Sequence, residues 1–141
     1  MKTYRILCID DDPDDIDMLN EAFQSLGVQY ELVKAHNGEE GITELRRLHN
    51  DGTVPCLIVL DINMPRMDGR EAFNAIRKEP AFSAIPVVIF STSSSQMDKM
   101  FFSRKSVEYF VKPIDFNKLS DVASAFLKIC ENGGTDENIP S

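Results

Sequence analysis

Residues 57–69 read LIVLDINMPRMDG. Leu57, Ile58, Val59 and Leu60 make an unbroken apolar run of strand formers, which ends on the carboxylate of Asp61. Asn63 and Pro65 follow, then the turn pair Asp68-Gly69, then a helical period. A continuous apolar strand is one buried on both faces, as in parallel sheets covered by helices. A charge placed directly after it lies at the carboxyl end of the sheet, where open α/β sheets carry their ligand sites.

The rest of the chain repeats this alternation. Strands are predicted at 4–9 (YRILCI), 30–35 (YELVKA), 56–60 (CLIVL), 87–90 (VVIF) and 108–111 (EYFV). Helical periods separate them. Ile16, Leu19, Phe23 and Leu26 share one face before Gly27, with Asp12 as cap and Pro13 in the first turn. Ile42, Leu45 and Leu48 share another, after a capping-box pattern at Asn37 and Glu40. Phe73 and Ile76 mark a third helix, and residues 95–105 (SQMDKMFFSRK) a fourth. Leu119, Val122 and Phe126 mark a fifth, from Asp115 to about Cys130. Five βα units predict a doubly wound, flavodoxin-like parallel sheet of order 2-1-3-4-5, with helices on both faces. The expected domain is 1–131. The polar end 132–141 is expected to be a disordered tail.

Composition narrows the function. The 141 residues carry a net charge of −8, which makes nucleic acid and anionic membranes poor partners. No apolar run approaches the length of a membrane span, and the strand-like start MKTYRILCI leaves no room for a signal peptide. Cys8, Cys56 and Cys130 have no metal-ligand spacing and read as reduced core residues of a cytoplasmic protein. His36 and His49 read as surface residues.

The strand ends hold the chemistry. Asp10-Asp11-Asp12 follow the first strand, Asp61 the third, Ser91-Thr92-Ser93 the fourth and Lys112 the fifth. In the predicted order the first and third strands are neighbours, so their carboxylates meet in one crevice. Carboxylates that close repel each other, and a divalent cation such as Mg²⁺ resolves the repulsion. A carboxylate beside a cation and an ammonium can attack phosphorus and form an aspartyl phosphate. Asp12, Asp14 and Asp15 read more simply as acids of a helix N-terminus.

At these residues the chain resembles the receiver domains of two-component response regulators. The resemblance rests on ILCIDDD (6–12), LIVLDINMPRMDG (57–69), VVIFSTS (87–93) and YFVKP (109–113), in order and correctly spaced, and covers about residues 4–130. It implies that Asp61 is the phosphoacceptor. Asp10, Asp11, Asp61 and the backbone carbonyl of Asn63 would hold Mg²⁺. Ser91 would be the switch hydroxyl, Lys112 the partner of the phosphoryl oxygens, and Tyr109 the aromatic switch. The Lys112-Pro113 bond is expected to be cis. The implied donor is a histidine kinase or phosphotransfer protein. A downstream protein would read the fourth helix, fifth strand and fifth helix, and that output face could also pair two copies.

The chain departs from the family pattern at Thr92, where a smaller residue is usual, and in FFSRKSVEYF (101–110), which lacks the usual Gly-Ala pair. With only a tail after the fifth helix, it resembles a stand-alone, chemotaxis-type receiver, and IPVV…STSSS resembles small receivers associated with phytochrome-type kinases. Such a protein is no enzyme beyond its own phosphorylation and dephosphorylation. A haloacid-dehalogenase type phosphohydrolase would need a second Asp at position 63, which is Asn. A flavin or nucleotide carrier would need a phosphate cradle where DDDPDD (10–15) stands. The alternative is a degenerate receiver that acts only as a protein-binding module.

Overall fold

A computed structural model describes residues 3–64 and 67–133 of the chain. The elements run β1 (Tyr4–Ile9), α1 (Pro13–Ser25), β2 (Tyr30–Ala35), α2 (Gly38–Asn50) and β3 (Leu57–Leu60). Then come α3 (Gly69–Lys78), β4 (Val87–Ser91), α4 (Gln96–Ser103), β5 (Glu108–Val111) and α5 (Phe116–Gly133). The five strands form one parallel sheet in the order β2-β1-β3-β4-β5. This is the expected architecture. The strand order switches direction between β1 and β3, which opens a crevice at their carboxyl ends.

Side-chain alternation divides the core into two layers. Leu7, Ile9, Ile58, Leu60, Val87 and Ile89 pack with Ile42, Leu45, Phe73, Ile76 and Phe102 of α2, α3 and α4. Ile6, Cys8, Leu57, Val59, Val88 and Phe90 pack on the other face with Ile16, Leu19, Phe23, Leu119 and Phe126 of α1 and α5. Strands buried on both faces explain why their sequence shows no polar alternation.

Several local expectations are refined. Asp12 caps α1 as expected, accepting from the Asp14 N–H at 3.0 Å. Asn37 caps α2, but the Glu40 carboxylate reaches back to the His36 N–H and not to Asn37. Asp68 is more than a turn residue: it caps α3 in a reciprocal box with Glu71. α5 continues to Gly133, and of the expected tail residues 134–141 lie outside the described residues.

Two expectations are overturned. Cys56 and Cys130 form a disulfide and are not reduced core residues. Their Cα atoms are 4.9 Å apart because α5 packs across the start of β3, a proximity hidden by 74 residues of separation. Cys8 is a free, buried thiol, and burial raises its pKa. The Lys112-Pro113 bond is trans, since no cis peptide occurs among the described residues. Trans is the lower-energy form of an X-Pro bond, and Lys112 reaches its partners from it.

Candidate functional site

Each site residue is placed by the end of a strand. The Asp10 N–H donates to the Ala35 carbonyl at 2.9 Å, and the Asp61 N–H to the Ile9 carbonyl at 3.0 Å. The ladder thus continues one residue past β1 and β3 and sets both carboxylates at the sheet end. Both are buried, whereas Asp11 is exposed. The Asp61 Oδ1 accepts from the Ile62 N–H at 2.8 Å. Gly69 is required beside it. A Cβ there would lie 2.6 Å from the Asp61 carbonyl oxygen, so only glycine lets α3 start this close to the acid.

The Lys112 N–H donates to the Ser91 carbonyl at 2.8 Å, which fixes the root of its side chain. Its ammonium donates to Asp10 Oδ2 at 2.6 Å and to Asp15 Oδ2 at 2.8 Å. Asp61 Oδ2 lies 3.6 Å away. Burial acts to lower the Lys112 pKa, but the bonds to Asp10 and Asp15 outweigh it and keep the ammonium charged well beyond neutral pH. Burial pushes the Asp10 carboxyl up to about 6, against the downward pull of Lys112.

Carboxylate oxygens of Asp10, Asp11 and Asp61 lie within 4.8 Å of one another, close enough to share one cation. Among the described residues, these three hard oxygen donors have one ammonium, that of Lys112, beside them. That donor set fits Mg²⁺ or Mn²⁺ and not a soft metal. Asn63 stands exposed two residues beyond Asp61.

Ser91 is fully buried at the end of β4, and its Oγ accepts from the Ser93 N–H at 3.2 Å. The half-buried Tyr109 donates its hydroxyl to the Ser93 carbonyl at 2.8 Å. The structure therefore brings Asp10, Asp11, Asp61 and Lys112 into one crevice and joins Ser91 to Tyr109 through Ser93.

Three participants escaped the sequence reading. Asp15 fits the pattern of a first-turn acid, yet it turns toward Lys112. Asp98, in the pattern Ser95-x-x-Asp98, resembles a capping acid. Its carboxylate instead takes the Arg70 guanidinium and the Ser93 hydroxyl. Arg70 carried no signal beyond its place in the first turn of α3.

The model of the response regulator receiver domain matches residues 6–124. The chain belongs to this family. It is a receiver of two-component signalling, a class of signalling modules that are generally not enzymes and that bind Mg²⁺ or Mn²⁺ at an acidic pocket. Protein PilH of Pseudomonas aeruginosa is 32% identical over 124 residues, covering 87% of this receiver and 97% of PilH. The phosphorylated cyanobacterial phytochrome response regulator RcpA superposes with a TM-score of 0.83 at 29% identity, covering 99% of this receiver and 100% of RcpA. The Mn²⁺-bound form of response regulator Rcp1 gives 0.75 at 26% identity, covering 86% and 90%. No helix among the described residues is long and apolar enough to cross a membrane.

Proposed function

We propose that the chain is a single-domain response regulator that accepts a phosphoryl group on Asp61 from a histidine kinase or phosphotransfer protein. One observation carries this reading: buried Asp61 shares a crevice with Asp10, Asp11 and the Lys112 ammonium. A carboxylate oxygen of Asp61 attacks phosphorus, and the bond from phosphorus to the donor breaks with its electron pair leaving on the donor. Lys112 offsets the charge brought in by the phosphoryl oxygens. Asp10, Asp11, Asp61 and the Asn63 carbonyl would hold Mg²⁺, which supplies further charge neutralisation when bound.

Signalling follows from Ser91. Turning its hydroxyl toward the phosphoryl group gives up the bond from the Ser93 N–H. Ser93 also holds Tyr109, so movement there is felt on β5 and α4. The output face of α4, β5 and α5 then changes, and a downstream protein reads it. This face carries exposed apolar groups, with Met97 79% and Met100 51% exposed, together with Val111 and Phe116. They suit a partner or a second copy. Phe102, on the same helix as Met97 and Met100, is fully buried. Likeness to a phytochrome response regulator supports a phytochrome-type kinase as the donor. Such a kinase would place the chain in the cytoplasm.

Incubation with acetyl phosphate and Mg²⁺, followed by intact mass, tests the reading. A single phosphoryl adduct is expected, absent with a chelator and absent in Asp61→Asn. A folded protein that binds Mg²⁺ but forms no adduct would favour a purely protein-binding receiver.

A further inference from the structure

The Lys112 ammonium has two carboxylates nearer than Asp61. Asp10 and Asp15 lie at 2.6 and 2.8 Å, Asp61 at 3.6 Å. The last distance exceeds a hydrogen bond. Asp10 also belongs to the acidic cluster around Asp61, whereas Asp15 does not. As a first-turn acid, Asp15 would need no partner, and its neighbour Asp14 fills that role while exposed. Asp15 differs by turning inward. Its side chain is 26% exposed, against 9% for Lys112. Met18, Phe90, Pro113 and Leu119 line the same small pocket. An ion pair set among apolar groups is screened less than one on the open surface.

We propose that Asp15 is a positioning residue that holds Lys112 in a resting arrangement and competes with a phosphoryl group on Asp61 for the ammonium. The inference rests on the reading of Asp61 as phosphoacceptor. Charge that Lys112 gives to Asp15 is withheld from the phosphoryl oxygens, and the Asp15 carboxylate itself repels them. Both effects favour the unphosphorylated chain. Removing the carboxylate removes both. The covalent step is unchanged: with acetyl phosphate the Asp61 oxygen still bonds to phosphorus while acetate leaves with the electron pair. Only the balance between the two forms shifts.

The test compares Asp15→Asn with Asp14→Asn in the full chain, because each removes one charge from the same helical turn. Beryllofluoride, a phosphoryl analogue, is titrated calorimetrically at saturating Mg²⁺. Asp15→Asn is expected to bind it about three- to tenfold more tightly than wild type, and Asp14→Asn to stay within about twofold. Asp15→Glu, which restores the carboxylate, should return toward wild type. Equal behaviour of Asp14→Asn and Asp15→Asn overturns the proposal and leaves Asp15 a first-turn acid. A double-mutant cycle of Asp15→Asn with Lys112→Met in urea unfolding reads the pair without any phosphoryl chemistry. No coupling there overturns the proposal and leaves the phosphoacceptor reading standing. Coupling in a wild-type chain that takes neither beryllofluoride nor phosphoryl groups overturns the reading, and the proposal with it.

Discussion

Arg70, at the start of α3, is paired with Asp98, a buried acid in the first turn of α4. Asp98 also accepts from the Ser93 hydroxyl at 3.1 Å, and Ser93 touches both Ser91 and Tyr109. One polar network therefore ties α3, the β4–α4 loop and β5 together. Arg70→Ala would leave a buried carboxylate with only a hydroxyl partner. We expect it to lower stability by about 1–3 kcal/mol in urea unfolding. The amides of α4 should exchange with deuterium faster. Unchanged exchange in α4 would show that the pair does not anchor this helix.

Asp10 predicts how metal binding depends on pH. Its carboxyl is raised from the usual 3.8 to about 6, chiefly by burial. A raised carboxyl favours the fold when protonated. That contribution is complete below the unfolded value and is lost as pH rises through about 6. A cation needs the ionised form, so the effect on metal binding has the opposite sign. Mg²⁺ affinity should fall about tenfold between about pH 7 and about pH 5. Calorimetric titration across that range checks this, and in Asp10→Asn the step near pH 6 should vanish.

The Cys56–Cys130 disulfide closes a long loop, the two cysteines being 74 positions apart in sequence. In the chain-entropy account such a crosslink stabilises by about 4 kcal/mol. Urea unfolding with and without a thiol reductant should differ by roughly that amount, and Cys130→Ala should abolish the difference. A cytoplasmic setting would keep the two thiols reduced, so the reduced chain is the relevant one to compare there.

Ser106 follows α4 with φ of 60°, in the left-handed region that favours glycine. Here the usual Gly-Ala pair is missing, yet the backbone still adopts the bend that a glycine would ease. Ser106→Gly should raise stability by about 0.5–1 kcal/mol. Thermal unfolding reads this directly, and a lowered midpoint would mean that the Ser106 side chain contributes more than its backbone strain costs.

Much of the site was legible because each of its charges follows an apolar run by a single residue. Asp10, Asp61 and Lys112 announce the ends of β1, β3 and β5, and two-sided burial made β1 and β3 easy to see. What stayed hidden had a simpler local explanation available. Asp15 satisfies a helix N-terminus and Asp98 a capping pattern, so neither sequence position signals a long-range partner. Cys56 and Cys130 are brought together only by how α5 crosses the sheet. α4 is eight residues long, too short for its period to separate Phe102, which is buried, from Met97 and Met100, which are not. Ile114, fully exposed between β5 and α5, lies in a loop where no periodicity applies.

The contact between Lys112 and Asp10 spans 102 positions of the chain. Its two ends are synthesised far apart in time, and the acids of β1 and β3 emerge well before the Lys112 ammonium that sits among them. A nascent chain lacking Lys112 would carry Asp61 but not its full complement of charges. On the proposed function, competence to accept a phosphoryl group would thus arrive with β5, and a copy cut or unfolded before it would be a poor acceptor.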